Sequence, residues 1–272
     1  MTDLNTAQTK AAATYNAAAD CFDHPVNTFW DRFGRNTVDR LDLKSGAVVL
    51  DVCCGSGASA LPAAEQVGAA GQVIGIDLAE NLLSLARSKA SSQSLTNVEF
   101  QLGDMLATGF ADNSFDAIVC VFGIFFVPDM PAAVRELWRV LRPGGKLAIT
   151  TWGQDFFEPA NSVFWDVVRA VKPELYKGLS TWDRITEPAT LMAMLTEGGV
   201  TEASVVSESG THPITSPKDW WTMVLGSGYR GTIDQMQPEE LALVRKANTE
   251  FISNAQIQAV QANVLYAVAQ KT

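Results

Sequence analysis

The chain has 272 residues, a net charge of −10 at pH 7 and a hydrophobic content of 47%. A chain of this size can bury one large core. The acidic balance argues against a surface that follows nucleic-acid phosphates or anionic lipid headgroups, because such surfaces are basic. Composition therefore favours a globular enzyme with a small-molecule substrate and no nucleic-acid partner.

No targeting or membrane signal is visible in the chain. The longest apolar run, residues 117–128, is shorter than the ~18 residues that indicate a membrane-spanning helix. The first residues are small and polar, without the basic start and apolar block of a secretory signal. We therefore expect no membrane span and a cytoplasmic location. The sequence is compatible with a homodimer.

Metal ligands are scarce. The two histidines are His24 and His212, and the cysteines show no CxxC spacing, so we expect no zinc or other metal site. A reduced compartment explains the cysteines as small buried apolar residues. They are Cys21, Cys53, Cys54 and Cys120.

Strands and helices alternate between residues 45 and 152. Apolar runs predict strands at 47–52, 72–77, 98–104, 115–126 and 146–152. Helical spacing predicts helices at 59–67, 79–91 and 130–141, the last ended by a proline-glycine stop at 142–145. Near-continuous apolar strands between helices indicate an α/β fold with a doubly wound, mostly parallel, Rossmann-like sheet.

The pattern changes after Trp152. Helices are predicted at 159–171 and 188–197, a strand at 203–210, a helical stretch at 216–252 and a final strand at 263–271, which gives seven strands in all. We expect a single domain in three parts, with helical insertions forming a cap. The parts are a helical N-terminal arm at 1–44, a cofactor-binding core at 45–152, and a substrate cap with the final strands at 153–272.

The first strand ends in the sequence VCCGSG, which includes Gly55 and Gly57. In an open parallel sheet, ligands bind beyond the carboxyl ends of the strands. Glycines there let backbone approach a ligand, and the next helix points its N–H groups at the same place. A plain strand-to-helix turn would use the same glycines, so both interpretations stay open at this step.

Acids end or follow three of these strands, at Asp51, Asp77 and Asp104. Each could cap a helix, but three around one glycine turn favour a binding site. A carboxylate at the end of the second strand can accept hydrogen bonds from a ribose diol. The turn lacks the G-x-G-x-x-G spacing of dinucleotide sites, and Asp51 suits an ammonium group better than a pyrophosphate.

A resemblance covers residues 45–152. The segments VLDVCCGSG, VIGIDLAENLL, GDM, FDAIVCVFGIFFVPD and ELWRVLRPGGKLAITTW resemble the ordered motifs of class I S-adenosylmethionine-dependent methyltransferases. They are most similar to the small-molecule branch that includes the menaquinone and ubiquinone biosynthesis methyltransferases. The resemblance implies in-line methyl transfer from S-adenosyl-L-methionine to a small, partly apolar acceptor at oxygen, carbon or nitrogen.

Two other functions are alternatives to small-molecule methyl transfer. An enzyme on the same scaffold could bind S-adenosylmethionine and catalyse a reaction other than methyl transfer. A nucleotide-binding regulatory protein is disfavoured by the complete set of motifs.

The resemblance also implies roles for individual residues. Asp51, Gly55 and Gly57 would line the methionine part of the cofactor, and Asp77 would hold the ribose hydroxyls. Around the adenine and the sulfonium, the implied residues are Leu78, Asp104, Met105, Val121, Phe122 and Gly123. Tyr15 resembles a tyrosine that covers the cofactor in related enzymes, although a helix could also use it for packing.

One residue departs from the family pattern, which has glycine where this chain has Cys53. A small side chain is tolerable there if the backbone is not left-handed. His24 is the candidate catalytic base, and the alternative is that it caps a helix before Pro25; His212 is a weaker candidate. We expect residues 22–33 and 219–231 to close over the substrate. The second stretch contains Trp220, Trp221 and glycines at 226, 228 and 231 that could act as hinges.

Overall fold

The computed structural model describes residues 6–178 and 181–272. Its main sheet has seven strands in the spatial order β3-β2-β1-β4-β5-β9-β6. The strands are β1 (Val48–Val52), β2 (Gln72–Asp77), β3 (Val98–Leu102), β4 (Phe115–Val121), β5 (Leu141–Trp152), β6 (Ser204–Glu208) and β9 (Val264–Gln270), and a separate hairpin pairs β7 (Thr211–Pro213) with β8 (Ala259–Gln261).

The helices that accompany the sheet are α1 (Thr6–Phe22), α2 (Phe29–Asp39), α3 (Ala60–Val67), α4 (Glu80–Ser92), α5 (Met130–Val140), α6 (Ala160–Val171), α7 (Pro188–Glu197), α8 (Pro217–Leu225), α9 (Arg230–Ile233) and α10 (Pro238–Asn254). Strands β1 to β5 are parallel, and β9 runs antiparallel to β5 and β6. The predicted doubly wound, mostly parallel sheet is therefore confirmed.

The sheet has a buried core on each of its two faces. Successive strand residues point to opposite faces and so enter different cores. In β1, Val49 enters a core formed with α3 and α4, whereas Leu50 enters the larger core that continues into α5 and the chain beyond Trp152. This two-sided burial explains why the strands read as continuous apolar runs rather than as alternating ones.

Two strand boundaries differ from the sequence expectation by more than two residues. Strand β4 ends at Val121 rather than at 126, because Phe122 adopts a left-handed backbone with φ +54° and turns the chain away from the sheet. The predicted stop at 142–145 lies inside β5, which begins directly after α5. A register shift against β4 and the left-handed Gly144, with φ +80°, accommodate the proline and glycines there.

The strand order reverses between β1 and β4, which are neighbours in the sheet although β2 and β3 intervene in the sequence. Two loops leave adjacent carboxyl ends in opposite directions at such a point, and a crevice opens between them.

Helix α1 crosses this edge of the sheet and is tied to it by polar contacts. Asn81 at the start of α4 donates its backbone N–H and its side-chain amide to Asn16, at 2.9 Å each. Just after α1, Asp23 accepts a hydrogen bond from Ser56 in the first loop, at 2.6 Å. Among the described residues, α1 therefore forms a cover over the crevice.

Candidate active site

A cavity of about 850 Å³, its mouth included, lies at the carboxyl ends of β1, β2 and β4. Helix α1 supplies one wall through Gln8, Ala11, Ala12 and Tyr15, a spacing that places them on one face of the helix. The other wall residues include Phe22, Trp30, Cys53, Cys54, Gly55, Ser59, Asp77, Leu78, Gly103, Asp104, Met105, Val121, Phe122 and Phe126. Most of the wall is apolar, and its acids come from strand ends.

The loop after β1 folds through two left-handed backbone positions that are separated by one residue. Cys53 has φ +57° and Gly55 has φ +54°. The condition under which Cys53 would be tolerable is therefore not met, because its backbone is left-handed, a conformation that favours glycine. Gly123 permits the arrangement: a Cβ on it would lie 2.5 Å from the Cβ of Cys53. A strained residue at the edge of a cavity is typical of functional sites.

Asp77 is held by backbone groups on both sides. Its Oδ2 accepts the N–H of Gly55 at 2.9 Å, and its Oδ1 accepts the N–H of Ala79 at 2.8 Å. Burial raises the pKa of this carboxyl, and the two N–H groups oppose the rise. Each oxygen keeps a further lone pair, so the fixed carboxylate can accept two hydroxyl groups of a ribose.

Asp51 is fully buried, and only one of its oxygens is satisfied. Oδ2 accepts a hydrogen bond from the hydroxyl of Ser59 at 2.7 Å, whereas Oδ1 has no partner among the described residues. Burial raises the pKa of Asp51 to about 7, the bond from Ser59 opposes this, and the charge of Asp77 adds to it. An unpartnered buried carboxylate oxygen is costly and fits a bound cation, such as the ammonium group of S-adenosylmethionine.

Neither Asp51 nor Gly57 lines the cavity, contrary to the sequence expectation. Asp51 reaches it through Ser59, which forms part of the wall. Gly57, with φ +88°, packs away from the cavity: a Cβ on it would lie 3.1 Å from Leu61 and 3.3 Å from Phe100. The role of Gly57 in this structure is to shape the turn.

The end of β3 supplies a second acidic wall. Asp104 accepts hydrogen bonds at Oδ1 from the side-chain amide of Gln8, at 2.6 Å, and from the N–H of Leu106, at 2.9 Å. Leu78 and Met105 lie in the same wall, so this part of the cavity pairs a carboxylate with apolar side chains. Such a combination suits a purine with an exocyclic amine.

Aromatic side chains form much of the remaining wall. Phe22 and Trp30 stack with ring centroids 4.9 Å apart, and Phe122 stacks on Trp152 at 3.8 Å. Tyr15 contacts Phe22 and Phe126 edge-on. Burial and the nearby Asp77 raise the pKa of Tyr15, so its hydroxyl stays protonated at neutral pH. The cavity wall thus combines acidic and aromatic side chains.

The structure brings neither histidine to this cavity. His24 is exposed, and its Nδ1 accepts the N–H of Val26 at 3.2 Å as the cap of a short 3₁₀ turn. His212 is buried; its Nε2 lies 2.6 Å from the carbonyl oxygen of Val26, and burial lowers its pKa. The catalytic role predicted for His24 therefore remains a prediction that this geometry does not support.

Only one of the two expected cover segments lines the cavity. Phe22 and Trp30 of the first are in the wall, but no residue of 219–231 is. Two glycines of that stretch serve close packing: a Cβ on Gly226 would clash with the amide nitrogen of Asn27, and one on Gly231 would clash with the hydroxyl of Thr14. The stretch therefore packs against the N-terminal arm and does not line the cavity.

Sequence reasoning missed Gln8 and did not assign Trp30 or Cys53 to the wall. The signal for Gln8 was present, because Gln8, Ala11, Ala12 and Tyr15 follow helical spacing with two small residues in the middle. Trp30 offered no such signal, since nothing in its neighbourhood tells that its ring, rather than that of Phe29, faces the cavity.

Over residues 6–178 and 181–272, the side chains form no group of three or more histidine, cysteine or acidic residues that could hold a metal ion. In that same part of the chain, no helix is long and apolar enough to cross a membrane.

Comparison with known proteins identifies the family. Residues 49–145 match the family described as a methyltransferase domain. A demethylmenaquinone methyltransferase of Listeria monocytogenes serotype 4a is 34% identical over 212 residues, covering 74% of this chain and 88% of the relative.

Solved structures agree in fold. The YcgJ protein of Bacillus subtilis has a TM-score of 0.58 at 21% identity, covering 89% of this chain and 99% of that one. A phosphoethanolamine N-methyltransferase of Haemonchus contortus, in complex with S-adenosylhomocysteine, has a TM-score of 0.59 at 17% identity and covers 98% of this chain and 60% of that one. The predicted family and the predicted cofactor are confirmed, and no comparison supports a reaction other than methyl transfer. The chain belongs to the class I S-adenosylmethionine-dependent methyltransferases, in the small-molecule group of the menaquinone type.

Proposed function

We propose that this methyltransferase modifies a small, partly apolar ring compound that packs against aromatic side chains of the cavity. The observation that carries the proposal is that one cavity is lined both by two strand-end acids, Asp77 and Asp104, and by aromatic rings, among them Trp30, Phe122 and Phe126. Rings prefer stacked or edge-on aromatic neighbours. The name of the Listeria relative makes demethylmenaquinone the first acceptor to test.

The acidic side chains would hold the cofactor. Asp77 would accept the ribose hydroxyls, Asp104 the exocyclic amine of adenine, and Asp51 with Ser59 would face the ammonium group. S-adenosylmethionine, when bound, supplies an electrophilic methyl group on a sulfonium. The described side chains would place the acceptor in line with that group and exclude water, and placement of two reactants alone can contribute about 7–11 kcal/mol.

No described histidine or lysine lines the cavity, so the proposed mechanism uses no dedicated general base. Tyr15 keeps its proton, because burial raises its pKa. A hydrogen bond with Cys120, together with burial, raises the pKa of the Cys53 thiol as well. An acceptor that must lose a proton would therefore lose it before binding or to water. This favours acceptors that are already nucleophilic near neutral pH.

A methyl-labelling assay tests the acceptor class. The enzyme is incubated with methyl-labelled S-adenosylmethionine and, separately, a demethylated quinone in its reduced form, a simple phenol, a small amine and a metabolite extract, and labelled products are identified by mass. We expect transfer to the ring compounds. Transfer only to an open-chain amine would contradict the proposal, and cofactor binding without any labelled product would support the non-methyl-transfer alternative.

Replacement of Asp77 by alanine should weaken binding of S-adenosylmethionine by about 1.5–3 kcal/mol, the range for hydrogen bonds to a charged group. Part of the loss would come from the first loop, since the N–H of Gly55 loses its acceptor. Calorimetric titration measures the effect. Glu80→Ala, which removes an exposed carboxylate three residues along the chain, is the matched control, and unchanged affinity in folded Asp77→Ala would remove Asp77 from the site.

Chelation should not affect catalysis. The expected reaction needs no metal, and the scarcity of histidines gives little basis for a metal site. Initial rates before and after dialysis against EDTA, with the chelator then removed, provide the measurement. A lost rate that magnesium restores would refute metal-independent transfer.

We also propose an organisation and setting for the chain. It would be a single domain in which residues 1–44 form the arm, 45–152 the cofactor core and 153–272 the cap and final strands; residues 1–5 and 179–180 lie outside the described residues. The absence of a basic composition supports a cytoplasmic enzyme without a nucleic-acid partner. A homodimer is compatible with this proposal, and light scattering would test it.

A further inference from the structure

Gln8 connects the covering helix to the end of β3. It lies near the start of α1 and is 3% exposed. Its side-chain nitrogen donates to Oδ1 of Asp104 across 2.6 Å, while the backbone N–H of Leu106 donates to the same oxygen at 2.9 Å. Hydrogen bonds to a carboxylate are stronger than those between neutral groups. This contact is therefore a strong polar tie between the outer end of α1 and the cavity.

The tie leaves the other oxygen of Asp104 available. Among the described residues only Gln8 and Leu106 donate to the carboxylate of Asp104, and both use Oδ1. Asp104 itself is part of the cavity wall. Two donors on Oδ1 restrict rotation of the carboxylate about its last torsion, so the direction of Oδ2 is fixed as well.

The helix is built to leave room beneath this tie. Ala11 and Ala12 follow Gln8 on the cavity face, and the next large side chain on that face is Tyr15. Small side chains at these two positions leave more space between α1 and the facing wall than larger ones would. Gln8 and Tyr15, the larger side chains on this face of α1, would then lie on either side of a bound adenine base.

We propose that Gln8 is a positioning residue that makes closure of α1 depend on the adenine base. Gln8 orients Asp104 so that Oδ2 of Asp104 accepts the exocyclic amine. The oriented Asp104, through its hydrogen bond with Gln8, holds α1 closed. The inference rests on the proposed role of Asp104. A purine with a carbonyl in place of the amine presents an acceptor to this carboxylate, and the two like groups repel. The arm would therefore close more firmly on an adenine cofactor than on its deaminated form.

Binding of two ligands tests the inference. S-adenosylhomocysteine and S-inosylhomocysteine differ at one edge of the base, where an exocyclic amine next to an unprotonated N1 is replaced by a carbonyl next to N1–H, and calorimetry gives the affinity of each for the full chain. We expect wild type to prefer the adenine form at least tenfold. Gln8→Ala should weaken the adenine form about tenfold and the inosine form less than twofold, so the preference is lost. Lys10→Ala, an exposed change on the same helix, should leave both affinities unchanged.

Hydrogen exchange of α1 gives an independent readout. In wild type, S-adenosylhomocysteine should slow exchange across residues 6–22 more than S-inosylhomocysteine does, and in Gln8→Ala the two ligands should act alike. Equal weakening of both ligands would reduce Gln8 to ordinary packing and overturn the inference, while Asp104 kept its proposed role. If wild type itself shows no preference, Asp104 does not read the amine, and both the inference and that part of the proposed function fail.

Discussion

Replacement of Asp51 by asparagine is expected to weaken cofactor binding about tenfold or more, the ~1.5–3 kcal/mol of a hydrogen bond to a charged group, because it removes the negative charge that reaches the cavity through Ser59. It is also expected to stabilise the cofactor-free chain relative to wild type, by an amount that grows as the pH rises. Both effects come from the buried carboxylate. Oδ1 of Asp51 is buried without a partner among the described residues. A negative charge at this place is unfavourable until a cation binds.

The pH dependence has a definite sign. The pKa of Asp51 is raised to about 7 from 3.8, so between pH 4 and 7 the folded chain binds a proton that the unfolded chain releases. The contribution of Asp51 to the free energy of unfolding therefore falls as the pH rises through this window and levels off above pH 7. Asparagine does not titrate, so the free energy of unfolding of the variant lacks this pH dependence. The difference in the free energy of unfolding between variant and wild type therefore grows between pH 4 and 7.

Chemical unfolding at pH 5.5, 7 and 8.5 measures this difference. At ~1.36 kcal/mol per unit of pKa, the variant should gain about 2 kcal/mol on wild type between the first and last of these pH values. Asp77, whose pKa is also raised by burial, is present in both proteins and cancels to first order. Asp39→Asn, which removes an exposed carboxylate, controls for net charge.

Calorimetry with S-adenosylmethionine completes the test. A stabilised variant that no longer binds would show that the charge of Asp51 serves binding at the expense of stability, as is common at functional sites. Normal cofactor affinity in Asp51→Asn would exclude Asp51 from the site. A pH-independent stability difference would show that the carboxyl titrates normally in the folded chain.

The half of the site that could be predicted from the sequence is the half formed by strand ends. Asp77 and Asp104 follow apolar strands, and parallel strands bring their carboxyl ends to one edge. The prediction needed only local signals, namely apolar runs of strand length and the turn residues that end them. Gln8 belongs to a segment whose place depends on docking of α1 across the sheet, and no local pattern encodes that docking.

The aromatic residues show the same limit more clearly. Trp30 and Trp220 both belong to aromatic stretches that were expected to close over the substrate. In the structure, Trp30 lines the cavity, whereas Trp220 is fully buried and donates its Nε1–H to Asn248 at 2.9 Å. Burial of a large apolar ring is favourable in either place. Composition and spacing therefore cannot separate a pocket wall from a core, and tertiary contacts decide.

The two tryptophans should respond in opposite ways to substitution by alanine. Trp220→Ala removes a fully buried ring that packs edge-on against Phe157 and Tyr229, and it leaves Asn248 without its donor. The expected loss is about 3–5 kcal/mol in the free energy of unfolding, with cofactor affinity retained by the folded fraction. Trp220→Phe, which keeps most of the packing, should recover part of this loss.

Trp30→Ala removes a ring that lines the cavity and stacks on Phe22. Because this ring would contact the acceptor, we expect KM for the acceptor to rise about two- to tenfold, in line with the ~0.5–1.5 kcal/mol of an aromatic contact, with a smaller loss of stability than in Trp220→Ala. Denaturant unfolding and acceptor kinetics on both variants give the comparison. If Trp220→Ala instead keeps its stability and loses acceptor turnover, the stretch 219–231 moves over the substrate after all, and the cover assigned to α1 and Trp30 is incomplete.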